Sequence, residues 1–280
     1  MYATLSAGAI GVRVPFEEAA RLAAKNGFEG ITVSTADVEK LGIDRLRRLL
    51  QDNGLLPAVT DLPVEFRRDE ATFEEGMSRL PGFARTMASL GCTRIATWFP
   101  PYHETLPYDE HFQQLRLRTA RICEVLARHG LRYGLEFVGP ETLRRGKPYP
   151  FIHDLDGLLE LIVAVSADNL GFLLDCWHWY TSGGTAQDLE KLSDQLVVAV
   201  HVNDAPRGIP REEQIDNVRA MPGETGVIDM ATFMGALRHM DYTGPVIAEP
   251  FCDWVRALPP EEAVAATARS LTRIWSLGDE

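Results

Sequence analysis

Four residues able to bind a metal ion each stand at the end of an apolar run. Glu136 follows Tyr133-Gly134-Leu135, Asp175 follows Phe172-Leu173-Leu174, His201 follows Val198-Ala199-Val200, and Glu249 follows Val246-Ile247-Ala248. Packing alone does not explain a carboxylate or imidazole directly after a buried β run, because a charge taken from water must find a partner. Any one of them could cap a helix or pair in a loop. Four in successive runs point to one shared site. Two Glu, one Asp and one His make a hard, oxygen-rich donor set with a single nitrogen. It suits a divalent cation: Mn²⁺ first, with Mg²⁺, Co²⁺ or Zn²⁺ also admitted.

The elements that must position these residues alternate along the chain. Apolar runs read as strands over Ala3–Ala7, Gly30–Ser34, Leu56–Thr60, Arg94–Trp98, Tyr133–Phe137, Gly171–Asp175, Val197–Val202 and Val246–Glu249. They are continuous rather than alternating, as expected of parallel strands buried on both faces. Amphipathic segments read as helices over Phe16–Asn26, Ile43–Asn53, Ala71–Leu90, Asp109–Arg128, Asp154–Val165, Ala186–Lys191, Met230–Met240 and Pro260–Trp275. Gly27, Gly54, Gly91 and Gly130 each close such a segment just before a β-type run, the place of a left-handed helix terminator. Eight strand-helix units without a linker predict an α/β fold, a single-domain (β/α)8 TIM barrel over residues 1–280. A doubly wound sheet would usually carry a phosphate loop, and neither GxGxxG nor GxxxxGK[ST] is present. The irregular stretches Phe99–Tyr108 and Asn203–Val227 follow the fourth and seventh strands, on the face where barrel enzymes build their sites.

Composition excludes several classes. The net charge of −12 disfavours a nucleic-acid partner, which needs clustered Lys and Arg; the pairs Arg47-Arg48 and Arg144-Arg145 are too short. No apolar run reaches the roughly 20 residues of a membrane span. No basic region followed by an apolar one opens the chain, and the four cysteines show no CxxC pair. A cytoplasmic protein with reduced thiols is expected.

In order and spacing, Gly134-Leu135-Glu136-Phe137, Leu174-Asp175-Cys176-Trp177-His178, His201-Val202-Asn203-Asp204, Pro222-Gly223-Glu224 and Ile247-Ala248-Glu249-Pro250 carry a family resemblance. The chain resembles the xylose isomerase-like TIM barrel superfamily in its sugar phosphate isomerase/epimerase branch, over nearly its whole length. That branch includes ketose 3-epimerases, hydroxypyruvate isomerase-like proteins, inosose dehydratases and 3-dehydroshikimate dehydratases. The resemblance implies metal ligands at Glu136, Asp175, His201 and Glu249, substrate contacts at His178 and Arg207, and a homodimer. Trp98, after the fourth strand, could form an apolar wall for a sugar or cyclitol ring, or pack in the core. Asp204 could orient Arg207 or a ligand, or serve a turn. One departure is Thr142, which stands where the epimerases carry a substrate-contacting Glu.

The expected function is a metal-dependent carbohydrate isomerase or epimerase acting on a ketose, keto-sugar or keto-cyclitol. The cation would stabilise the enediolate formed when a proton α to the carbonyl leaves. Glu136 and Glu249, flanking the carbon, would take and return that proton. The alternative is a lyase of the inosose or 3-dehydroshikimate dehydratase kind, or one eliminating from a keto-glycoside, since the same intermediate can expel a β-substituent. An apurinic endonuclease would need a histidine-rich zinc cluster and a basic face. A non-catalytic sugar-binding barrel would not need both flanking glutamates.

Overall fold

The computed structural model describes residues 1–277. The last three positions of the expected domain, 278–280, lie outside the described residues. Eight parallel staves form the sheet: β1 (Tyr2–Leu5), β2 (Gly30–Ile31), β3 in two pieces (Leu56–Pro57 and Thr60–Asp61), β4 (Arg94–Trp98), β5 (Arg132–Glu136), β6 (Leu170–Asp175), β7 (Val197–Val202) and β8 (Pro245–Ala248). β1 pairs with both β2 and β8, and the two pieces of β3 pair with β2 on one side and β4 on the other. The ladder therefore closes through β3 into a (β/α)8 barrel.

The helices lie between the staves as expected, at Phe16–Lys25, Ile43–Asp52, Glu70–Leu90, Tyr108–Ala127, Leu155–Val165, Ala186–Leu189, Met230–His239 and Pro260–Trp275. The terminators Gly27, Gly54, Gly91 and Gly130 all have positive φ, the conformation their place predicts. Between sheet and helices runs one continuous apolar layer, including Leu135, Phe172, Val200 and Phe233. Inside the barrel a small second cluster of Ala58, Val59, Ala96, Leu173, Ala199 and Ile247 forms a floor beneath the C-terminal mouth.

Local chemistry shortens some strands. β2 does not reach Ser34, because Ser34 and Asp37 form a reciprocal capping box that opens an unanticipated helix, Thr35–Leu41. Leu56–Thr60 is not one strand. The pairing passes from β2 to β4 around Ala58 and Val59, whose backbone still bonds to Ile31 and Val33. The stretch after β4 is partly ordered: Tyr102–His103 pairs antiparallel with Tyr149–Pro150 from the loop after β5. Among the described residues no helix is long and apolar enough to cross a membrane.

Candidate metal centre

β5 to β8 bring their ends to one side of the barrel mouth. Register sets the level: His201 lies opposite Asp175 on β6 and Ile247 on β8, and Glu136 lies opposite Trp98 on β4. Glu249 is one residue beyond β8, but its backbone N–H still bonds to the Val202 carbonyl. Its side chain is thereby aimed with the others.

His201 Nδ1 is the middle of the group. It lies 3.4 Å from Glu136 Oε1 and 3.4 Å from Glu249 Oε2. Ligand atoms of Asp175, His201 and Glu249 all lie within 4.8 Å of one another, as do those of Glu136, Asp175 and His178. Glu136 Oε1 and His201 Nδ1 are buried without a hydrogen-bond partner. Two unsatisfied polar atoms facing each other in a buried site are costly unless something else binds them. Adjacent ligands on an octahedral cation at about 2.1 Å stand about 3 Å apart, and opposite ones about 4.2 Å apart. The spacing, the donor types and the orphaned atoms all fit a divalent cation.

His178 is built differently from His201. It sits in the helix Cys176–Thr181, which Asp175 caps through a hydrogen bond from Trp177 N–H. Its Nδ1 accepts a 3.1 Å hydrogen bond from Gly139 N–H. The neutral ring therefore carries its proton on Nε2, which lies 3.8 Å from Asp175 Oδ2 and 3.9 Å from Glu136 Oε2. Burial pushes the His178 pKa down to about 3, so the ring stays neutral. A nitrogen bearing a proton is no ligand, so His178 stands beside the carboxylates without a direct hydrogen bond to either and does not fit a fifth metal contact. Gly139 is required here: a Cβ would lie 2.4 Å from the His178 carbonyl oxygen.

Arg219 is the functional residue that sequence reasoning missed. Only 5% exposed, it lies between the Trp177 and Phe251 rings and donates through Nη1 to Asp175 Oδ2 at 2.8 Å and Glu249 Oε2 at 3.1 Å. Its Nη2 holds Asp216 at 3.0 Å. One buried cation thus ties the Asp175 and Glu249 carboxylates to the long loop after β7. Nothing in the local pattern Asn217-Val218-Arg219-Ala220 marks it; its place depends on how that loop returns. The expected substrate contact Arg207 is not brought to the site. It is exposed, its Nε donates to the Thr225 carbonyl, and it does not line the cavity above the centre. The loop curls back because the buried Asp204 carboxylate accepts from the N–H groups of Ala205, Thr225, Gly226 and Ile228. Asp204 is therefore a loop anchor and orients neither Arg207 nor a ligand. Thr142 has a structural partner as well, donating to the Gln214 carbonyl.

Electrostatics separates the two glutamates. Burial raises Glu136 to about 8, against the opposing pull of His201. Burial also works to raise Glu249, but His201 and Arg219 outweigh it and bring the group to about 2. Burial would lower His201, yet the Glu249 and Glu136 carboxylates carry it well above the ordinary imidazole value. Before a cation binds, the flanking carboxylates favour a protonated His201, while burial favours a protonated Glu136.

Above it opens a cavity of about 760 Å³ lined by Glu136, His201 and Glu249 together with Trp98, Phe16, Phe251 and Asp61. Trp98 is 49% exposed, with the Arg67 guanidinium 4.9 Å from its ring centre, so it is a cavity wall and not core. Trp177 and Trp179 are buried. Asp61 is open to the cavity yet hemmed by protein, and burial raises its pKa.

A closed (β/α)8 barrel with a carboxylate-histidine centre at its C-terminal mouth defines a metal-site TIM barrel. The chain belongs to the xylose isomerase-like TIM barrel family, whose model matches residues 20–274. It is similar to an inosose isomerase of Halalkalibacterium halodurans, 27% identical over 262 residues, covering 89% of this chain and 86% of that protein. Among solved structures it is similar to a xylose isomerase domain protein from Alicyclobacillus acidocaldarius, 30% identical with a TM-score of 0.89 and full coverage of both chains. The fold is also that of the IolI protein solved with a bound zinc atom, at TM-score 0.84, 21% identity and coverage of 99% and 98%.

Proposed function

We propose that the protein is a divalent-metal-dependent isomerase or epimerase that moves a proton α to the carbonyl of a ketose, keto-sugar or keto-cyclitol. The observation that carries this is the pair of carboxylates, Glu136 and Glu249, set at equal 3.4 Å distances on either side of one imidazole nitrogen at the floor of an open cavity. The inosose isomerase relative favours a keto-cyclitol. Glu136, Asp175, His201 and Glu249 would hold the cation, Mn²⁺ in our assignment, with Mg²⁺, Co²⁺ and Zn²⁺ as alternatives. When bound, it supplies Lewis-acid polarisation of the substrate carbonyl, worth several kcal/mol.

The chain's own groups divide the proton work. Glu249, kept ionised by Arg219 and His201, is suited to remove the proton. Glu136, 3.4 Å from the same His201 nitrogen as Glu249, is placed to return a proton from the other side. Arg219 holds the Glu249 and Asp175 carboxylates in place by hydrogen bonds at 3.1 and 2.8 Å. Trp98 offers a face against the apolar side of the ring.

The test is incubation of Mn²⁺-loaded protein with ketoses, inosose and 3-dehydroshikimate in D₂O. Deuterium at the α carbon of recovered isomers supports the proposal. An unsaturated product would make the protein a lyase with the same centre, and no exchange with any compound under any of the four metals would sink both.

A further inference from the structure

One carboxylate in the cavity takes no part in the centre. Asp61 closes the second piece of β3 and lines the cavity together with His201 and Glu249. β3 lies four staves from β7 in either direction around the barrel, so Asp61 stands on the wall opposite His201. Among the described residues its side chain has no hydrogen bond or ion pair. The other charged lining groups outside the centre are occupied. Asp37 is held in the capping box with Ser34. Arg67 is gripped by Glu65 through two hydrogen bonds and donates a third to the Trp98 carbonyl.

A ligand entering this space strips water from Asp61 and must replace it with donors, because a desolvated carboxylate left unpaired is costly. A hydroxyl can donate. A carboxylate or phosphate cannot, and it meets a like charge with no free cationic side chain among the described lining residues to offset it. We infer that Asp61 is a specificity-determining residue: it accepts a hydrogen bond from a hydroxyl of an uncharged polyhydroxy ketone and turns away substrates bearing a carboxylate or phosphate. This rests on the proposed carbohydrate function and narrows it to neutral substrates.

The test titrates Mn²⁺-loaded wild type, Asp61→Ala and Asp61→Asn with inosose and with 3-dehydroshikimate by calorimetry, with steady-state kinetics alongside. Wild type is expected to bind inosose at least about tenfold more tightly than 3-dehydroshikimate, since one lost hydrogen bond to a charged group is worth about that factor or more. Asp61→Ala should weaken inosose about tenfold or more, mainly in KM, with Mn²⁺ affinity unchanged. Asp61→Asn keeps the shape and removes the charge, so it should gain affinity for 3-dehydroshikimate even if the alanine variant folds poorly. Wild type that binds neither compound, or binds the anion as tightly, overturns the inference. So does inosose affinity indifferent to Asp61. The two proposals fail separately: Asp61-dependent binding of inosose without deuterium exchange removes only the isomerase, and exchange with a KM indifferent to Asp61 removes only the specificity role.

Discussion

Loading the centre with Mn²⁺ should release protons. In the metal-free site His201 Nδ1 sits 3.4 Å from each of two carboxylate oxygens. At an effective dielectric of about 20, a charge pair at that distance is worth about 5 kcal/mol, enough to keep the imidazole protonated against its burial. Glu136, raised to about 8, is mostly protonated at neutral pH. A cation needs both groups deprotonated, so binding competes with at least one proton and at most two. For the Glu136 proton alone, apparent Mn²⁺ affinity should fall roughly 50-fold from pH 8 to pH 6, and more steeply if the His201 proton also leaves. Calorimetry in buffers of different ionisation enthalpy counts the released protons directly. Glu136→Gln should reduce the count by about one. The sign for stability is the reverse in the metal-free protein: Glu136 and His201 have raised values in the fold, so their contribution is present at low pH and lost as pH rises toward 8 and beyond. Metal-free protein should therefore melt lower at pH 8 than at pH 6, as far as these two groups decide it. Buffer-independent binding enthalpy with an affinity flat between pH 6 and 8 would refute the electrostatic description of the centre.

Three further outcomes are expected. Glu249→Gln should lower turnover by about 10²-fold or more with the fold retained, as befits loss of a positioned base; substantial residual exchange in D₂O would remove that role. Arg219→Met should cost about 3–5 kcal/mol in denaturant unfolding of the metal-free protein, because it leaves Asp175, Asp216 and Glu249 without their shared buried cation, whereas Arg207→Met, at an exposed loop position, should change stability by less than about 0.5 kcal/mol. Gly139→Ala should destabilise by roughly 1–3 kcal/mol, since its Cβ would press on the His178 carbonyl at 2.4 Å; an unchanged melting temperature would contradict that contact.

Much of this protein is legible in its sequence because the relevant physics is local. Buried parallel strands need unbroken apolar runs, so residues placed straight after them are visible as chemistry and not packing. That is why Glu136, Asp175, His201 and Glu249 stand out before any fold is known, and why the four terminator glycines mark helix ends correctly. Where a short-range hydrogen bond competes with a strand, the run misleads: the Ser34–Asp37 capping box cuts β2 short.

The rest was decided by tertiary structure. The strand order and the register of His201 with Asp175 bring the four side chains together at one side of the mouth, and no run contains that register. The loop after β7 chooses Arg219 over Arg207, because the buried Asp204 carboxylate gathers four backbone N–H groups and folds the loop's far end back over the centre. Asp61 looks like an ordinary residue after a short strand until closure of the barrel sets it opposite His201. Sequence alone determines which residues can end a buried strand with a charge. Only the closed barrel decides which of those charges meet, since burial and Coulomb interaction depend on distances between segments far apart along the chain.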